Sequence, residues 1–330
     1  MTATLAPVGT TETRTRVHWT GVVVFVGLAV GLAWLVTLPL WLGRGLEDPF
    51  FQLYALGMMS CPAVAALVAT FLVVRPAHRA RFLGLVPIRP VKRLLLWCLV
   101  GLLGPTLLAV LALLLGAAVG IAPLDLSFSN YADLIRSTGQ PAPDAATLQV
   151  IGWVGLLTIP LASLVSSVAA FGEELGWRGF LMSALQPLGV WPSLLLNGVV
   201  WGVWHAPLLL LGYNYGLMNA LGVVLMTVST VLTGVLFGWL RMRSASVYPA
   251  ALAHGALNAT TSTLLVTLVA VGEVGVAASL IGWTGWVVLA VAIALVAWRR
   301  GFRWATDAPP GAVPGAMPDA TPPTRAVPSS

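Results

Sequence analysis

Long apolar runs set the terms for this chain. A membrane span needs about 20 predominantly apolar residues to cross the hydrocarbon core. The sequence offers eight such runs, at roughly 19–43, 51–74, 94–120, 147–170, 190–211, 217–240, 248–271 and 275–298. Strong helix-breaking punctuation separates them, as in "RPAHRARFLGLVPIRPVKR" and "STGQPAPDA". The pattern predicts an all-α, polytopic membrane helical bundle of about eight transmembrane helices. Composition agrees, because 58% of the 330 residues are hydrophobic and only 8% are charged, against about 25% in an ordinary soluble domain.

The first run is too long for a signal-peptide core and lacks a small-residue cleavage site, so it is expected to remain as a span. Residues 17–303 then form the transmembrane domain. Residues 1–16 and the Pro/Ala-rich stretch 304–330 have compositions that cannot bury a core and read as disordered tails. Cys61 and Cys98 both fall in apolar runs without ligand spacing, so they read as small buried hydrophobes.

The formal net charge is +6, but the basic residues sit at the ends of apolar runs and form no patch interleaved with aromatics. They read as topology signals, with the bilayer as partner and no nucleic acid. Arg75, Arg79, Arg81, Arg89, Lys92 and Arg93 place the loop after the second run in the cytoplasm. Both termini then face the cytoplasm, together with Arg14, Arg16, Arg241, Arg243, Arg299, Arg300 and Arg303. The opposite loops hold Glu47, Asp48, Asp125, Asp133, Asp144 and Glu273, with Arg44 and Arg136 as their basic residues. The expected home is a bacterial plasma membrane.

Ionisable groups inside spans cost about 2.5–3.5 kcal/mol each on the insertion scale, so those retained are informative. They are Glu173, Glu174, Arg178, His205 and His254, with Asn258 as a strong amide hydrogen-bonder. Glu174 and Arg178 have the spacing of a helical ion pair, which predicts a structural role for that pair. Glu173 lies about 100° round the helix and can face elsewhere. His254 and Asn258 are four apart and share a face. Each signal alone also fits a satisfied core residue or an interhelical hydrogen bond.

Together the groups make a set that can bind and activate water. The imidazoles can hold a zinc ion, with Glu173, His205 and His254 as its candidate ligands. The carboxylate can take a proton, and the amide can hold an oxyanion. The chain lacks an H-E-x-x-H helix, a G-x-S-x-G elbow, a P-loop and an intramembrane aspartate pair. It also shows no internal repeat, which disfavours an inverted-repeat carrier.

"EELGWR", "WGVWH" and "HGALN", in this order, fit E-E-x-x-x-R, [FW]-x-x-x-H and H-x-x-x-N. In an all-helical membrane chain they resemble the CAAX-processing and bacteriocin-processing intramembrane protease family, also called abortive-infection or lysostaphin-resistance-like. The resemblance covers about residues 147–270. It implies an endopeptidase acting on a membrane-associated peptide or protein, with its site in the membrane and open to the cytoplasm. It implies that Glu173 activates water, that Glu174 and Arg178 hold the local helix, that His205 and His254 bind water or metal, and that Asn258 helps hold the oxyanion. Prenylated CAAX tails are the substrates of its eukaryotic members. The alternatives left open are a non-catalytic scaffold or bacteriocin immunity protein and, less in keeping with the residues, a proton-coupled carrier.

One length does not fit a simple bundle. Leu148 to Gln186 would reach about 58 Å as a single straight helix, nearly twice the hydrocarbon thickness. Either Pro160 breaks it or residues 171–186 form a separate inner helix.

Overall fold

The computed structural model describes residues 16–269 and 275–304. The expected tails therefore lie almost wholly outside the described residues, as does Glu273. The described chain is helical throughout, with one isolated bridge between Leu124 and Val269. The helices are α1 Trp19–Leu42, α2 Phe51–Val73, α3 Arg79–Phe82, α4 Val91–Ala118, α5 Ser129–Ser137, α6 Ala145–Leu157 and α7 Ile159–Glu174. They continue with α8 Met182–Leu185, α9 Val190–Trp204, α10 Ala206–Leu209, α11 Ala220–Ser244, α12 Tyr248–Leu268 and α13 Trp283–Trp298. A π-helical stretch, Leu175–Leu181, joins α7 to α8.

All eight apolar runs are helical over most of their length. Among the described residues five helical segments are long and apolar enough to cross a membrane, or six if the bent pair α6–α7 counts as one span. The chain is an integral membrane protein. Two of the eight runs fall short of that measure. The helix in 190–211 stops at Trp204 and is only 15 residues long, and α12 carries His254, Asn258 and several threonines.

The long segment from Leu148 to Gln186 is broken as the proline suggested. Pro160 sits in the first turn of α7, where its missing N–H costs nothing and its ring prevents α6 from running straight on. The two helices meet at Thr158 with a bend of 51°.

Small residues bring several of the helices into close contact, because lipid competes equally well for leucine. Along α4 the buried positions are Gly101, Pro105, Ala109, Ala112, Leu113 and Gly116. Leu95, Leu99, Leu103 and Leu107 face outward. Gly101 lies against the carbonyl of Pro249 at the start of α12, and Gly255 of α12 lies against Ser167 of α7. Gly198 and Gly202 of α9 meet Val231 and Thr227 of α11. Gly176 abuts Pro62 of α2, with that carbonyl 2.9 Å from where a Cβ would stand.

The bundle has two chemically distinct ends. At one end Arg93 Nη2 donates to the Arg243 carbonyl at 2.7 Å, and Val247 N–H donates to the Gly84 carbonyl at 3.0 Å. Arg79, Arg299, Arg300 and Arg303 lie at this same end. At the other end Trp41 Nε1 donates to the Pro207 carbonyl at 3.0 Å, Asp125 N–H to Leu268 at 2.9 Å, and Tyr215 Oη to Ile281 at 2.9 Å. The described acidic loop residues, Glu47, Asp48, Asp125, Asp133 and Asp144, belong to this second end.

Candidate active site

The polar groups singled out in the sequence converge between α7, α9, α11 and α12. Glu173 and Glu174 are the last two residues of α7, both fully or nearly fully buried. The helix widens immediately after them. A π-type turn is rare and frequently marks a functional site, and here it carries Trp177 and Arg178.

Glu174 makes the ion pair that its spacing predicted. Arg178 Nη1 donates to Glu174 Oε1 at 2.7 Å, with both side chains buried. The guanidinium also lies over the rings of Trp201 and Phe237, at 4.4 and 5.2 Å from their centroids. A second partner was not readable from the sequence: His254 Nδ1 is 3.0 Å from the same Glu174 oxygen. A carboxylate can only accept, so Nδ1 carries the proton and Nε2 is left for another partner. Glu174 thus ties Arg178 of the widened turn to His254 of α12.

Glu173 faces away from that pair, as expected, and lines a cavity. Its Oε2 accepts from Trp201 Nε1 at 2.9 Å and Trp177 Nε1 at 3.3 Å. Two indole donors steady the carboxylate without neutralising it. Its other oxygen makes no hydrogen bond among the described residues.

His205 caps α9, where Pro207 breaks the helix into α10. Its Nδ1 is 2.8 Å from the Trp201 carbonyl; since a carbonyl only accepts, this ring also carries its proton on Nδ1 and leaves Nε2 open. Trp201 therefore holds Glu173 through its side chain and His205 through its backbone. In the sequence it stands only as the first aromatic of "WGVWH". Trp177 was likewise missed. Asn197, whose Nδ2 donates to the Trp177 carbonyl at 2.6 Å, fixes that turn from α9.

Asn258 is partly exposed on the cavity wall, one turn beyond His254. The cavity, of about 210 Å³, thus gathers Glu173, His205, His254 and Asn258. Glu174 and Arg178 lie behind it and do not line it. For zinc the fit is incomplete. Both Nδ1–H groups rest on acceptors, the orientation that ligating imidazoles adopt, but no three His, Cys, Asp or Glu side chains among the described residues come together as a metal-holding group.

Residues 155–260, which span this whole constellation, match the sequence model of the family described as Type II CAAX prenyl endopeptidase Rce1-like. The central segment of the chain is thus similar to the CAAX-protease family. A CAAX prenyl protease 2 from Methanococcus maripaludis is 36% identical to this chain over 64 residues, which is 18% of this chain and 23% of that relative. The matched stretch therefore spans about a quarter of the curated relative's length.

Beyond the site, the cavity runs in one direction. Its other lining residues include Ala55, Tyr213, Met226, Ser262 and Ile281, all from the acidic end of the bundle. Towards the basic end the site is packed shut by Trp177, Phe180, Arg178, Arg241, Phe82 and Leu83, each at most 3% exposed. A cytoplasmic basic end and a site open to the cytoplasm cannot both hold for this chain.

Proposed function

We propose that this protein is an intramembrane endopeptidase that hydrolyses a peptide bond with water activated by Glu173. The observation that carries the reading is a buried carboxylate, held by two indole N–H donors and, among the described residues, without an ion-pair partner, beside two imidazoles whose Nε2 atoms make no hydrogen bond among those residues. The substrate is a membrane-associated peptide or protein held in the bilayer-embedded cavity.

In this mechanism the free oxygen of Glu173 and one imidazole Nε2 accept the two hydrogens of a water and so position it. As the water oxygen attacks the scissile carbonyl carbon, its proton passes to Glu173. The carbonyl oxygen gains the negative charge, which the Asn258 amide stabilises by donating to it. Collapse of the tetrahedral intermediate breaks the C–N bond, and the proton held on Glu173 moves to the departing amine. Glu174 and Arg178 act through others. They set the tautomer and orientation of His254 and fix the widened turn that aims Glu173.

A second reading places zinc on Glu173, His205 and His254. The two tautomers favour it; the lack of a converged three-donor group does not, so the mechanism here runs through protein groups and water. A metal-stripped preparation separates them. Retained cleavage supports water held by protein groups, and loss restored by zinc supports the ion. The primary test is cleavage of a peptide library in detergent by the wild type and Glu173→Gln. If the wild type cleaves nothing while binding a membrane protein partner, the scaffold or immunity reading replaces this one.

A further inference from the structure

The cavity's direction has a bearing on where its substrate comes from. α11 runs from Ala220 at the acidic end to Ser244 at the basic end, and α12 returns from Tyr248. At 1.5 Å per residue, His254 lies about 9 Å from the basic end of α12, whereas Ser262 lies about 21 Å from it. The cavity wall continues past Asn258 and Thr261 to Ser262, and along α11 from Thr233 to Met226. Two lining residues at the outer part of the wall, Tyr213 and Ser262, are exposed. In the other direction the plug around Arg178 and Arg241 leaves no path, since Arg241 Nε donates to the Arg178 carbonyl at 3.1 Å and Ser183 Oγ to the Phe82 carbonyl at 2.8 Å.

Charge gives the two ends their sides. Short loops rich in arginine stay in the cytoplasm, and the basic end carries Arg75, Arg79, Arg81, Arg89, Lys92 and Arg93 with no acidic residue among the described ones. The cavity therefore faces away from the cytoplasm. Its wall also holds two buried polar atoms with no hydrogen-bond partner among the described residues, Asn214 Oδ1 and Thr261 Oγ1. Such atoms are costly unless something completes them, and the N–H groups of an extended peptide are suited to do so.

We propose that the cavity is filled from the extracytoplasmic side, by an extended peptide segment of an exported or membrane-anchored chain and not by a cytosolic C-terminal tail. The nature of the occupant rests on the endopeptidase reading; the side of access does not.

Single cysteines test it in the full chain with Cys61→Ala and Cys98→Ala, expressed in intact cells and treated with a membrane-impermeant maleimide. Met218→Cys reports the side of the loop that covers the acidic end, where Met218 is 77% exposed. Ser262→Cys reports the cavity, and Arg81→Cys the basic end. The expected result is labelling of Met218→Cys and Ser262→Cys from outside, and of Arg81→Cys only after permeabilisation. Labelling of Ser262→Cys only from the cytosolic side, or from neither side, overturns the proposal. So does external labelling of Arg81→Cys. Because labelling needs no turnover, a failed cleavage assay leaves this result readable.

Discussion

α4 and α12 pack against each other, yet they are built on opposite rules. α4 turns leucines outward and glycine, alanine and proline inward. Its side chains reach α12 by a single described hydrogen bond, between Thr106 and Thr260 at 3.0 Å. α12 is too polar to qualify as an apolar span, and its buried face carries His254, Thr260 and Thr267. In lipid, hydrophobicity marks what faces out, and polarity marks what is enclosed. The family match, residues 155–260, ends inside α12 and leaves α4 out.

The contrast breaks most visibly at Glu173. Glu173→Gln keeps the shape and both indole contacts but removes the base, so cleavage should fall about 10²–10⁴-fold while the melting temperature holds. Unchanged cleavage would remove Glu173 from the mechanism. Glu174→Gln should do something different. It strands Arg178 and unhooks His254 in a buried setting, where breaking a pair typically costs about 3–5 kcal/mol, so folded yield should drop along with activity. If Glu174→Gln folds normally, the pair is not structural.

A subtler change is Trp201→Phe, which keeps a ring under Arg178 and removes the indole donor to Glu173. A hydrogen bond to a charged group is worth about 1.5–3 kcal/mol, so kcat should fall by roughly one to two orders of magnitude with KM little changed. Rescue would not come from Trp177 alone, whose indole lies farther from the carboxylate.

Asp125, in the loop after α4, offers a smaller test outside the spans. Burial pushes its carboxyl up, but hydrogen bonds from Ser127 and Ser129 outweigh this and hold it at about 2. A depressed native value stabilises the fold above the unfolded pKa of about 3.9. That contribution is lost as pH falls towards 2. Asp125→Asn should therefore be slightly less stable than wild type at neutral pH and match it near pH 2. Smallest of all, Leu103→Ala on the lipid-facing stripe of α4 should shift stability within about 0.5 kcal/mol. A large loss there would mean that the stripe faces protein.

The fold class was legible because apolar runs of membrane length have few other readings, and Pro160 marked the one break that mattered. Glu173, His205, His254 and Asn258 were legible for the opposite reason: ionisable and amide groups are so scarce in these runs that each demanded an account. The Glu174–Arg178 pair followed from helical spacing. Three things were not legible. His254 reaches Glu174 from a helix far along the chain, and spacing cannot report that. Trp177 and Trp201 hide among 14 tryptophans, most of which suit a membrane interface equally well. The cavity's direction depends on which ends of four helices are packed shut, a property of the assembled bundle alone.

The widened turn at Leu175–Leu181 makes this segment sensitive to insertions and deletions more than to composition. Its backbone closes rings over five residues where an α-helix uses four. Removing one residue between Glu174 and Leu181 would let the helix close normally; the wider rings absorb that residue, so the flanking helices would stay nearly in register while residues inside the stretch would shift round the axis by up to about 100°. Glu173 and Arg178 could then no longer face their present partners together, although both would still be there. Among variants of this chain, a conserved count of residues in that stretch should matter more than which apolar side chain stands at Leu175 or Leu181.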